Sequence, residues 1–107
     1  MLNIEYKQNG TQKEAVVILN KENINGFEAR QFVEEVVNKI NKDIDLLLID
    51  MAKVVFISSA GLGMIVNSHI VLKKHNIPIK IINVSEEVRK LFAMTKIDSI
   101  IEVSRST

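Results

Sequence analysis

The chain of 107 residues contains no cysteine, no tryptophan, one tyrosine and one proline. The lack of cysteine excludes disulfides, thiol catalysis and cysteine-ligated metals, and says nothing about compartment. So few large aromatics leave little for base stacking. Neither sign of charge dominates: Lys plus Arg is 14, Asp plus Glu is 13, and the net charge is +1. That balance gives no electrostatic case for nucleic acid or an anionic membrane. No apolar run approaches the roughly 20 residues that span a bilayer. Met1 to Lys7 has no basic segment leading into an apolar one, so no signal peptide is expected and the expected location is cytoplasmic.

What is present is a large apolar fraction, 47% of residues. It suits one compact domain of about 100–150 residues, here 1–107. Leu2 to Tyr6 alternates apolar and polar, as a half-buried strand does. Asn9-Gly10 is a turn signal before the apolar run Ala15 to Leu19, so a hairpin is expected, with its second strand the deeper. Asn25 followed by Glu28 has capping-box spacing, with Ile24 placed to staple against Ala29. The helix it opens carries Ala29, Phe32, Val33, Val36, Val37 and Ile40 as one apolar stripe. Ile44 to Ile49 is aliphatic except for Asp45, and such a run predicts a strand covered on both sides. A second helix is expected from Ser59 or Ala60 to about Lys74. Pro78 leads a strand through Ile79, Ile81 and Ile82. Ser85-Glu86-Glu87 opens a third helix whose inward face is Val88, Leu91 and Phe92. Thr95 to Ser99 reads as a loop, Ile100, Ile101 and Val103 as a last strand, and Ser104 to Thr107 as a polar end. The expected fold is α/β, one mixed sheet of about five strands, a hairpin and then alternating strands and helices, with helices packed against it.

Catalytic constellations are poorly supplied. Ser59 could serve as a nucleophile only with a base in hydrogen-bond reach. His69 lies roughly 15 Å away along the same helix at about 1.5 Å per residue, and His75 is farther. No Gly-x-Ser-x-Gly elbow is present. Gly61-Leu62-Gly63 begins a dinucleotide pattern, but Val66 holds the third glycine position. Two histidines and no cysteine provide no transition-metal set, and Asp43, Asp45 and Asp50 lack calcium-loop spacing. Asp45 reads as a strand-edge residue. No enzyme, cofactor or metal is expected.

What remains is the stretch from Val54 to Val66. An apolar run ends in Ser58-Ser59, a Gly-Leu-Gly turn follows, and the pattern becomes helical. One serine can cap the helix. A serine here is also a candidate phosphorylation site. A phosphate carries about −1.5 to −2 charges and would meet the free N–H groups and positive end of the helix. Gly61 and Gly63 allow close backbone approach, by a partner or, for Gly61, by the chain's own sheet. Met64 and Val71, with Asn67 between them, would form an apolar, adaptable strip beside the serines.

Asp50-Met51-Ala52-Lys53-Val54-Val55-Phe56-Ile57-Ser58-Ser59-Ala60-Gly61-Leu62-Gly63 resembles the signature of anti-sigma factor antagonists, the STAS domain family. Asn23-Ile24-Asn25 resembles the family's segment before its first helix, and Val88 to Phe92 its third helix. The resemblance implies a protein that binds an anti-sigma factor, itself a serine kinase, and so releases a sigma factor. The kinase phosphorylates the antagonist and ends the complex; a phosphatase restores it. By position the resemblance makes Ser59 the acceptor, with Ser58 the alternative. It implies a partner-binding surface of Asn25, Ser58, Ser59, Ala60, Gly61, Gly63, Met64 and Asn67. Ser58 and Asn25 stand where the family has aspartates. The family's final helix is expected to be short or missing after Val103. The other role the resemblance implies is an accessory subunit of a membrane transport ATPase or signalling assembly, without phospho-switching.

Overall fold

The structure, a computed structural model, describes residues 3–105. Strands β1 (Asn3–Asn9) and β2 (Gln12–Ile18) form the expected hairpin, antiparallel and in register from Asn3↔Ile18 to Asn9↔Gln12. Gly10 takes the left-handed conformation in the turn (φ 66°), which only glycine adopts without cost. Both strands run longer than their apolar cores suggested. Leu2 lies outside the described residues, and Leu19 is buried just beyond β2, its N–H bonded to the Asp50 carbonyl.

Two short strands follow: β3 (Asn23–Ile24) here, and β5 (Phe56–Ile57) later in the chain. They pair with each other in parallel as a separate small sheet. Helix α1 (Gly26–Phe32) continues into a π-helical turn over Val33–Val37. That turn is closed by the Asn38 N–H on the Val33 carbonyl at 3.1 Å. The wider turn lets consecutive Val36 and Val37 both face inward, together with Phe32 and Ile40. Lys42 Nζ then donates to the carbonyls of Val37 (2.8 Å) and Ile40 (3.2 Å), satisfying groups the helix end leaves open.

Strand β4 (Leu46–Asp50) begins later than the apolar run implies. Ile44 is buried but precedes the strand, while Asp45 exchanges hydrogen bonds with the Lys13 backbone, as a strand-edge residue. Helix α2 (Ser59–Lys73), strand β6 (Ile79–Val84) and helix α3 (Glu86–Met94) follow as expected. The expected loop 95–99 contains a 3-10 turn, Ile97–Ser99. Ile101 is buried ahead of the last strand, β7 (Glu102–Arg105), which takes in Ser104 of the expected polar end. Among the described residues no helix follows β7.

The main sheet is five-stranded and mixed, in the order β1-β2-β4-β6-β7, with β2, β4, β6 and β7 mutually parallel. This order follows the chain, so right-handed crossovers carry α1, α2 and α3 to the same face. Burial agrees. Ala15, Val17, Leu47, Ile49, Ile79 and Ile81 join Phe32, Ile65, Leu72 and Phe92 in one core. Leu46 and Leu48 point the other way and are only half-buried. The expectation that β4 is covered on both sides is therefore corrected: within this chain one side is covered.

Candidate functional site

The loop that carries the two serines is built by the small sheet. Val55 and Phe56 both donate N–H groups to the Glu22 carbonyl (2.7 and 3.0 Å), and Ser58 donates to the Ile24 carbonyl at 2.9 Å. Each of these two chains then turns into a helix. Asn25 caps α1: its Oδ1 accepts from the Phe27 N–H at 3.0 Å, and Glu28 Oε1 accepts from the Asn25 N–H at 3.1 Å. Ser58 caps α2 by accepting from the Gly61 N–H at 3.3 Å. The starts of α1 and α2 thus lie side by side. A Cβ placed on Gly26 would be 4.0 Å from that of Ala60.

This geometry separates the two serines. Ser58 is half-buried and its hydroxyl serves the helix cap. Ser59 is exposed at the first helical position, and no described residue bonds to its hydroxyl. The first backbone bond of the helix is from the Leu62 N–H to the Ser58 carbonyl at 3.0 Å. The N–H groups of Ser59 and Ala60 precede it and lie at the positive end of α2.

The two glycines separate as well. Gly61 is buried, and a Cβ there would stand 2.6 Å from Ile57 Cγ2 and 3.0 Å from the Ile24 carbonyl oxygen. Its close approach serves the chain's own fold. Gly63 is exposed, with nothing within 4 Å of a Cβ. Beside it runs an open groove of ≈ 480 Å³ between α1 and α2. Gly26, Ala29, Val33, Ala60, Gly63 and Met64 line it, with Arg30, Glu34, Asn38 and Asn67 also on its walls.

Of the eight residues expected at the partner surface, Asn25, Ser59, Ala60, Gly63 and Asn67 are exposed together at this end of the two helices. Two are corrected. Gly61 is internal, and Met64 is only 4% exposed, so it belongs to the core and meets the groove with an edge. The adaptable strip is thereby reduced to Asn67 and the partly exposed Val71. The pattern could not reveal this, because α2 is apolar nearly all round. Exposed Phe27, Val55 and Phe56, on the segments that frame the serines, were not singled out from the sequence. Their exposure at apolar positions was not visible without the small sheet.

The histidines lie away from the serines. His69 borders a shallow pocket with Lys73, Asn76, Ile77 and Pro78, toward the far end of α2, and its Nδ1 is buried without a hydrogen-bond partner among the described residues. His75 is exposed past the helix end. Among the described residues no group of three or more His, Asp or Glu could hold a metal ion, and no helix is long and apolar enough to cross a membrane.

Known proteins share this architecture. The protein TM1081 of Thermotoga maritima superposes with a TM-score of 0.77 at 24% identity, over 94% of this chain and 79% of that one. The anti-sigma factor antagonist SpoIIAA of Bacillus, in its phosphorylated form, gives 0.66 at 15% identity, over 94% of this chain and 90% of that one. The murine anion transporter Slc26a9 gives 0.73 at 14% identity, over 88% of this chain but 16% of that one. At such identities the likeness is one of fold. No curated protein matches by sequence. The STAS domain family matches residues 6–107, and the chain belongs to that family.

Proposed function

We propose that this protein is an anti-sigma factor antagonist switched by phosphorylation of Ser59. In the unphosphorylated state it binds an anti-sigma factor that is also a serine kinase, and a sigma factor is released. Phosphate on Ser59 ends the complex, and a serine phosphatase restores it. The protein acts as a binding partner and carries out no chemistry of its own. The observation that carries this reading is the division of labour between adjacent serines: Ser58 caps the helix, and Ser59 is exposed beside the α1–α2 groove. The free N–H groups of Ser59 and Ala60 would accept the new charge without disturbing the fold. A partner laid into the groove would meet that charge directly. The existence of SpoIIAA in unphosphorylated and phosphorylated forms on the same fold supports the reading.

The test is incubation with the cognate kinase and ATP, followed by mass-spectrometric mapping. Phosphate on Ser59, absent in Ser59→Ala, is the expected result. Phosphate on neither Ser59 nor Ser58 would overturn the switch.

A second reading rests on the match to part of Slc26a9. The same fold forms part of that anion transporter, and on this reading the chain binds a membrane transport ATPase or signalling assembly through the same groove. Ser59 would then be a contact residue rather than a substrate. Co-purification with transporter subunits, with no phosphate exchange at Ser59, distinguishes it.

A further inference from the structure

Among the residues that line the α1–α2 groove, Arg30 is the one cation. It is exposed, and its guanidinium has no hydrogen bond or ion pair with any described residue. The nearest acid on the helix is Glu34, one turn on and on the same wall of the groove. An acid placed after its base is the weaker order for a pair four residues apart, and no ion pair joins the two. Elsewhere the arrangement differs: Arg89 is held by Glu86 at 2.8 Å and Lys80 by Glu102 at 2.9 Å. The charge on Arg30 is uncommitted.

Its direction gives it a target. A helical side chain leans back over the turn that precedes its own Cα. For Arg30 that turn begins at Gly26, about 6 Å back along α1 at about 1.5 Å per residue. Gly26 is where the two helices meet, since a Cβ there would be 4.0 Å from that of Ala60, the neighbour of Ser59. Gly63, one turn further along α2, has nothing within 4 Å of a Cβ. The groove lining next to Ser59 is therefore glycine and alanine, which leaves room for a long side chain to cross.

We infer that Arg30 receives the phosphate of Ser59, its guanidinium crossing the groove mouth to take two phosphoryl oxygens and pin α1 to α2. The inference rests on the reading of Ser59 as the acceptor. A planar guanidinium matches two phosphoryl oxygens at once, and such charge-assisted pairs are the strong ones. The neutral Ser59 hydroxyl offers no counter-charge, so the groove stays open in the unphosphorylated protein. Phosphate is then more than a repelling charge. The new pair lies across the groove, and a docked partner has to break it.

The test installs phosphoserine at residue 59 during translation, so that no kinase is needed, and follows its phosphorus NMR signal against pH. The second ionisation of a phosphoserine falls near pH 6, at about that value when unperturbed. The phosphate is expected to titrate at least about half a pH unit lower in the otherwise wild-type chain than in Arg30→Gln. Arg30→Lys keeps the charge but not the fork and should recover only part of the lowering. Lys74→Gln, about 22 Å away along α2, should leave it unchanged. Without phosphate, Arg30→Gln should leave the urea midpoint where it is, which separates the clamp from a role in the fold. Equal titration with and without Arg30 overturns the clamp, as does an equal change in Lys74→Gln. Absence of kinase-added phosphate on Ser59, read by mapping, instead overturns the acceptor reading, so the two failures are distinct.

Discussion

The Ser58 N–H is bonded to the Ile24 carbonyl at 2.9 Å, and the same carbonyl oxygen is 3.0 Å from where a Cβ on Gly61 would stand. One backbone oxygen therefore joins the two helix starts and fixes what can follow the serines. Ile57 Cγ2 closes the other side at 2.6 Å. Neither neighbour yields easily, since one is hydrogen-bonded backbone and the other a buried β-branched side chain. Gly61→Ala gains about 1 kcal/mol of helix propensity and loses about 1–3 kcal/mol to overpacking. The expected net effect is destabilisation, read as a lower urea midpoint with an unchanged m-value.

Gly63→Ala should do the opposite. Nothing lies within 4 Å of the added methyl, and the position is inside α2. Stability should rise by about 0.5–1 kcal/mol. If a partner approaches the backbone here, its affinity should fall in the same variant. A more stable protein that binds the proposed anti-sigma factor partner less well would identify Gly63 as retained for contact. Calorimetric titration beside thermal melting measures both.

The adjacent serines should separate in the same way. Ser58→Ala removes the bond to the Gly61 N–H and should cost about 0.5–2 kcal/mol. Ser59→Ala removes an exposed hydroxyl bonded to no described residue, and should change stability by less than about 0.5 kcal/mol. Urea unfolding of the two variants is the check. Equal losses would mean that the hydroxyls share the cap.

Much of this arrangement was legible in the residues. The Asn25–Glu28 spacing gave the capping box because it acts over three residues, and the alternation of strands and helices gave the sheet. Other features leave no periodic trace. The strands Asn23–Ile24 and Phe56–Ile57 are too short to show a period. The π turn at Val33–Val37 satisfies the same three- and four-residue spacing as an α-helix. How far Met64 is buried was not legible, because α2 is apolar nearly all round. Ser58 and Ser59 both precede the helical pattern, so which of them caps depended on where the chain crosses Ile24. The Ile44–Ile49 run predicted cover on two sides, and the structure separates its residues between a packed face and an open one.

The start of α3 should make stability depend on acid. Arg89 donates to both carboxylate oxygens of Glu86, at 2.8 and 3.3 Å, and Arg105 on β7 approaches the same group at 3.6 Å. The hydrogen bonds from Arg89 hold Glu86 below its ordinary value of 4.5; loss of hydration opposes them, and the charges of Arg89, Arg105 and Lys90 add to the lowering. A lowered folded-state pKa contributes stability that is full above the unfolded value and is lost as pH falls through the folded one. The difference in melting temperature between wild type and Glu86→Gln should therefore be constant near neutrality and shrink below pH 4.5. The group is exposed, so the difference should also shrink in high salt. A difference that grows on acidification would contradict the pairing.

Charge placed on either serine should have opposite consequences for partner binding. An aspartate at residue 58 can still accept from the Gly61 N–H, and it adds a negative charge at the positive end of α2. Ser58→Asp should therefore keep or raise stability and leave the complex intact, since the side chain points into the cap. Ser59→Asp puts a carboxylate on the exposed first position of the helix, beside Ala60 and the groove. The helix tolerates it for the same dipolar reason, so the fold should persist. A partner docked there would bury that charge unpaired, and affinity for the proposed anti-sigma factor partner should fall at least tenfold, about 1.4 kcal/mol. Titration of both variants against one partner preparation, with circular dichroism as the folding control, decides it. Loss of binding in Ser58→Asp with none in Ser59→Asp would reverse the assignment of the two hydroxyls.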